Sequence, residues 1–359
     1  MSTQESTTEG AAVARQVSVV AVTTAVLVFV VGVAWAKWLP YTEKTLALSL
    51  SRTWDGTSLL DAEGTTPSWS AAWSFAVAYT QAVWKALLVS LLVAAAVDSL
   101  VPRRWLLRAL RRNGRWRQAT AGGLASLPTM MCTCCTAPLV VSLRRSGVPV
   151  PAALAYWLGN PLLNPAVLVF LFLACPWQWG VTRLLIGALV VFGVGAVVGS
   201  RSASRTVDGD AVPTAGRGEQ GPVSVRGLAA GYARSLFRLA VVLVPEYAVV
   251  VLLVGGLSGW ASQFDSITER LGLLGLLVAA AVGAFVVLPT GGEIPVLLGL
   301  SALGAGAGLL GVLLVTLPAL SLPSLVMVAR ALSPHVAALS AVAVVGGGLA
   351  AGLVLTVLV

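Results

Sequence analysis

Three of the four cysteines crowd into Cys132-Thr133-Cys134-Cys135, between Pro128 and Pro138. Two prolines so close together rule out an uninterrupted helix, so the thiols are placed on broken backbone. Thiolates favour soft partners: Cu(I), zinc, or trivalent arsenic and related metalloids. Cys132 and Cys134 can present two sulfurs to one ion, and the vicinal Cys135 adds a third. These residues are the candidate ligands for a soft metal or metalloid. The competing reading is three small residues that let a hairpin pack closely. The fourth thiol, Cys175, reads as a small apolar filler of its helix.

Two acids stand in apolar surroundings, Glu293 in Gly-Gly-Glu-Ile-Pro and Glu246 in Val-Pro-Glu-Tyr. Carboxylates inside a membrane are costly and usually serve ions or protons, so both are candidates for proton coupling. The alternative for Glu293 is a pairing with Lys85 or a place at the interface; Lys85 could equally pair with Glu246 or Asp98. Asn160-Pro161 and Asn164-Pro165 bracket another interruption, matched later by Pro318 and by Ser321 with Pro323. Prolines free carbonyls, and Asn or Ser offers polar groups that can line a path. Asn160, Asn164 and Ser321 are therefore substrate-binding candidates, against the simpler reading of kinked helices with locally satisfied side chains.

These residues recur in register, about 157 positions apart. Pro138 to Gly147 spans nine residues, as does Pro295 to Gly304, and Pro138 to Pro161 spans twenty-three, as does Pro295 to Pro318. Shared intervals in apolar sequence point to a duplicated membrane unit, with a site where broken helices of the two halves meet. The asymmetry is chemical, with thiols at one break and Glu293, opposite Thr136, at the other.

The elements that must position these residues are membrane spans. The 359-residue chain is 57% hydrophobic and 10% charged, with a mean hydropathy of +0.90, whereas a soluble domain carries roughly a quarter charged residues. Many apolar runs reach the ~20 residues that cross a bilayer core as a helix. The net charge of +9 comes with arginines in loops between apolar segments, which reads as topology and lipid contact and excludes nucleic acid as a partner.

Residues 1–16 read as a disordered N-terminus, 17–36 as an extra transmembrane helix and 37–70 as a polar segment. Repeat 1 occupies 71–199, a cytoplasmic linker 200–234 and repeat 2 residues 235–358. Seven arginines between Arg103 and Arg117 place that block in the cytoplasm, as the second basic linker should be. Three crossings between the two linkers would put the second one outside. The conflict disappears if 119–143 enters and returns as a hairpin broken near the cysteines. Residues 271–306 form the second hairpin, and the two repeats then run inverted. The fold class is an all-α, multi-pass integral membrane transporter with two inverted repeats, each holding a broken or re-entrant helical hairpin.

Cys132-Thr-Cys-Cys-Thr-Ala-Pro138, Arg144-Arg145-Ser-Gly147, Ala152-Ala-Leu-Ala155 and Pro161-Leu-Leu-Asn-Pro165 resemble a broad family of permeases that includes the ArsP-type organoarsenical efflux permeases. The resemblance covers about 71–358. It departs where Cys135 replaces a glycine of the family pattern and Gly-Gly-Glu fills the second break. It implies a multi-pass permease whose cysteines are available to substrate. The expected function is gradient-coupled efflux of a soft, thiol-binding species across the cell inner (plasma) membrane. The implied partners are a small-molecule or ion substrate, membrane lipids and a second copy of the chain, with no cofactor. No phosphate loop, zinc-protease motif or nucleophile elbow is present, so an enzyme is not expected. A permease for another small solute, a membrane thiol–disulfide oxidoreductase and a structural protein without substrate are the alternative classes.

Overall fold

The computed structural model describes residues 2–54, 69–203, 225–257, 272–302 and 304–359, and every regular element among them is helical. Helix α1 (Ser2–Val33) passes through a five-residue π turn (Ala34–Trp38) into α2 (Leu39–Ser51). The first half continues with α3 (Trp69–Ser99), α4 (Arg103–Leu110), α5 (Arg115–Ser126), α6 (Thr133–Arg145), α7 (Val150–Leu162), α8 (Pro165–Ala174) and α9 (Trp177–Ala203). The second half holds α10 (Val225–Leu257), α11 (Leu273–Gly283), α12 (Glu293–Ala302), α13 (Ala307–Ala319), α14 (Leu322–Ala331) and α15 (Pro334–Leu358). Among the described residues, six helical stretches are long and apolar enough to cross a membrane, or seven if α13 and α14, bent by 50°, form one span. The chain is a multi-pass membrane protein. Large apolar side chains such as Val31, Trp73, Leu189, Phe237 and Leu353 are exposed on the outer helices, as a surface solvated by lipid requires.

The first span departs from the sequence reading at both ends. Residues 2–16, expected to be disordered, continue α1 upstream. Their polarity limits burial but not helix propagation, which adds one hydrogen bond for each residue fixed. The helix also runs on past Ala36, because Pro40 falls in the first turn of α2, where the missing N–H costs nothing. The rest of the expected polar segment (55–68), most of the linker (204–224) and residues 258–271 lie outside the described residues.

The breaks fall at corresponding places. Helices α7 and α13 have 13 residues each and start 157 positions apart; α8 and α14, of 10 residues each, keep that offset, as do the first residues of α9 and α15. Between α5 and α6 the backbone tightens into a 3-10 turn at Leu127–Thr129 and then turns left-handed at Met130 (φ 48°). Between α11 and α12 the positive φ falls on Gly291 (82°), a residue without the Cβ that penalises this conformation.

Helix α7 is the centre of the fold, buried on every face from Pro151 to Leu162 and packed by α5, α6 and α9. The α5–α7 approach is set by Gly122, whose Cβ, were there one, would lie 2.0 Å from the Ala152 carbonyl oxygen. Gly122→Ala is therefore expected to lower stability by about 1–3 kcal/mol through overpacking, read as a reduced thermal midpoint in detergent. Gly193→Ala, with nothing within 4 Å of its Cβ position, should leave the midpoint unchanged or slightly raised.

Candidate functional site

The first break delivers the thiols. Cys132 is the N-cap of α6, in extended conformation, so Thr133, Cys134 and Cys135 fall in the first turn. The Cys132 sulfur lies 3.0 Å from that of Cys134 and 3.1 Å from that of Cys135. All three are buried, with ligand atoms within 4.8 Å of one another, close enough to share one ion. Cys132 and Cys135 also stand in a Cys-x-x-Cys spacing. The Tyr79 hydroxyl on α3 touches the Cys134 sulfur at 3.4 Å, and Ser90 donates to the Cys135 carbonyl. Asn160 on α7 braces the turn before the thiols: its Oδ1 accepts from the Met131 N–H at 3.2 Å and from the Thr129 hydroxyl.

The two halves meet at this turn. Thr133 Oγ1 donates to Ser321 Oγ at 3.0 Å, which brings the N-termini of α6 and α14 together. Ser321 caps α14 in a reciprocal capping box with Ser324, satisfying donors that a helix start leaves orphaned. Asn164, at the corresponding position of the first half, caps α8 by accepting from the Ala166 and Val167 N–H groups. Its Nδ2 is buried and without a hydrogen-bond partner.

A second polar centre lies at the other break. Glu293, the first residue of α12, is 1% exposed and pairs with Arg183 of α9 at 3.0 Å. The Arg183 guanidinium also donates to the carbonyls of Pro161 (2.8 Å), Leu162 (3.2 Å) and Leu314 (2.8 Å). Two of these acceptors are orphaned by proline. Pro165 lacks the N–H that would reach Pro161, and Pro318 lacks the one that would reach Leu314. One side chain thus binds the broken ends of α7 and α13 and the start of α12.

The profile of a family described as a predicted permease matches residues 68–357. The chain belongs to that predicted permease family. It is 34% identical over 313 residues to the UPF0718 protein YraQ of Escherichia coli (strain K12), covering 85% of this chain and 86% of the relative. No solved structure matches it. The fold and the family make it a membrane permease, a transporter.

Of the residues singled out in the permease sequence, Cys132, Cys134, Cys135, Asn160 and Ser321 come together around the first break, each buried. Asn164 and Glu293 lie at the other interruptions, where Arg183 pairs with Glu293 and donates to the Pro161 and Leu162 carbonyls at the α7 terminus. Lys85, considered as the partner of Glu293, Glu246 or Asp98, packs over the rings of Trp35 and Trp84. Asp98 pairs instead with Arg238 at 2.8 Å and accepts from Ser235. Glu246 lies on α10, and its side chain is outside the described residues. Arg183 escaped the sequence reading, although it is the one charged residue between Val150 and Gly199; its place near the start of a span disguised it as an interface residue.

Removing one partner of a buried ion pair strands the other charge, at about 3–5 kcal/mol. Arg183→Met is expected to destabilise the permease by that order in detergent thermal unfolding. Adding Glu293→Gln should recover part of the loss, while the unpaired carbonyls keep the double variant below wild type.

Proposed function

We propose that the protein is a gradient-coupled exporter, in the cell inner (plasma) membrane, of a soft thiol-binding metal or metalloid species of the organoarsenical kind. The observation that carries this reading is the convergence of three buried sulfurs at a helix break, where the two halves touch through Thr133 and Ser321. Soft cations and metalloids are the cargo such a sulfur set favours. Asn160 and Ser321 supply the neutral polar lining beside it, and Asn164 adds a polar group at the next interruption.

Inverted repeats give this reading its motion. With the first span set aside, each repeat contributes three stretches long enough to cross, if the bent α13–α14 pair counts as one, together with one broken hairpin; an odd number of crossings would set the second repeat upside down. The contacts of α3 with α10, α7 with α13 and α9 with α15 each pair an element with its own counterpart, the pattern of a two-fold relation. Rocking one half against the other would expose the thiols to either side in turn. Proton coupling falls to Glu293, with Glu246 as a second carboxylate. Protonating Glu293 removes the charge that faces Arg183, and Arg183 holds the broken ends of α7 and α13. A second copy of the chain and lipid headgroups are the remaining proposed partners.

The Cys132–Cys135 pair favours a second reading, a membrane thiol–disulfide oxidoreductase. Its two thiols would give two electrons and two protons to a disulfide of a partner protein. A trapped mixed disulfide at Cys132 or Cys135 would support it.

The deciding measurement is cellular element content by mass spectrometry, in bacteria expressing the intact chain or Cys132→Ser/Cys134→Ser. The challenge panel is trivalent arsenic, methylated and aromatic arsenicals, antimony, copper and zinc. The expected outcome is depletion of one species by the intact chain alone, with equal membrane levels of both proteins. Equal content across the panel sinks the thiol-cargo reading and leaves the permease assignment standing.

A further inference from the structure

Among the described residues, the transport mechanism proposed above leaves one deeply buried cation unused. Lys37 lies in the π turn Ala34–Trp38, outside the 68–357 segment matched by the family, and is 7% exposed. Its ammonium donates to the Tyr41 hydroxyl at 3.0 Å and to Thr290 Oγ1 at 3.1 Å, both neutral. An ammonium has three donors, and no carboxylate among the described residues pairs with this one. Arg183, the other deeply buried cation of the core, has Glu293 and three carbonyls around it. A buried charge held only by neutral groups is costly and is usually paired.

Its position connects this charge with the thiols. Thr290 lies in the second break, two residues before Gly292 and three before Glu293. The next residue of the π turn, Trp38, donates from Nε1 to the Pro128 carbonyl at 2.8 Å, in the first break. Two consecutive side chains therefore touch both interruptions, Lys37 at Thr290 and Trp38 at Pro128, four residues before Cys132. Trp54, just beyond α2, comes near Gly291 from the same side, so this first membrane element roofs the second break. Single π turns within long helices recur at functional sites. Burial inside the protein also excludes the usual alternative, a lysine that snorkels to lipid phosphates.

We propose that Lys37 is a cargo-binding residue, and that the cargo carries a negatively charged group beside its thiol-reactive atom. This rests on the thiol site proposed above and narrows its substrate class to anionic members. The third ammonium donor would bind that group while the sulfurs hold the soft atom. Hydrogen bonds to an ionised partner are about twice as strong as neutral ones, so the charge selects among cargoes that the thiols alone would treat alike.

The test compares two probes of equal thiol reactivity, neutral phenylarsine oxide and its 4-carboxylate, binding to the purified full chain in detergent. Wild type is expected to bind the carboxylated probe about tenfold more tightly, a difference of ~1.4 kcal/mol. Lys37→Met should bring the ratio to about one while still binding phenylarsine oxide, and Lys37→Arg should keep the preference. A ratio near one in wild type, with both probes lost in Cys132→Ser, overturns the Lys37 assignment and leaves the thiol site intact. A preference that survives in Lys37→Met overturns it too. Failure of both probes to bind wild type overturns the thiol reading and this inference together. Should Lys37→Met not fold, the wild-type ratio alone decides.

Discussion

A broken helix inside a membrane protein is tolerated only if something takes over the hydrogen bonds that the break releases, and here much of that task falls to Arg183. Its planar fork offers five donors in fixed geometry, enough to reach Pro161, Leu162 and Leu314 and still pair with Glu293. Each buried carbonyl left unpaired would cost roughly 1–3 kcal/mol. Removing the guanidinium charge from water is also costly, and the carbonyl dipoles together with the Glu293 charge offset that cost. A lysine could not substitute, because its point charge cannot span carbonyls on two helices and a carboxylate at once. The interruptions of α7 and α13, and so the caps at Asn164 and Ser321 that begin the next helices, depend on this one residue.

That dependence explains what was legible in the sequence. Pro161, Pro165, Pro318 and Pro323 announce the interruptions by local chemistry, and the clustered cysteines announce a break that can hold them. Equal intervals between prolines and glycines were enough to pair the halves, and the helix bounds keep the same offset. The residues that were missed act at long range. Arg183 lies on α9 and serves carbonyls on α7 and α13; Lys37 lies on the first span and serves the break before α12. A cation beside an apolar run looks the same whether it turns outward to water or inward to a stranded acceptor. Pro40 does not stop the first helix, because a proline ends a helix in its interior but fits its first turn, and the π turn supplies that fresh start.

The two halves share the 157-residue offset of their helix bounds but carry different chemistry. At the 157-residue offset, Cys132 faces Pro289, Cys134 and Cys135 face Gly291 and Gly292, Thr136 faces Glu293, and Arg183 faces Ser340. Ser340 is buried and donates to the carbonyl of its own preceding turn, a role that binds nothing beyond α15. Asn164 and Ser321 are the exception, since both cap the following helix and differ only in which polar group does so. The backbone plan is thus retained, while the clustered thiols stand in one half and the buried carboxylate in the other. An exact copy would place three thiols at each break and leave no carboxylate for Arg183.

The first span is not part of that plan. Lying before the matched segment, it has no counterpart in the second half, yet Lys37 and Trp38 reach both breaks and Trp54 approaches Gly291. Besides the apolar approach of Trp54, it makes there one charge-assisted bond from Lys37 to Thr290 and one neutral bond from Trp38 to the Pro128 carbonyl, worth about 1.5–3 and about 0.5–1.5 kcal/mol. Bonds of that strength position a side chain without locking the two halves, whereas the Arg183 fork holds three helices through one charge. The core of the two halves therefore supplies broken backbone and its support. The added helix supplies a second, less firmly held cation at the place where the two copies differ most.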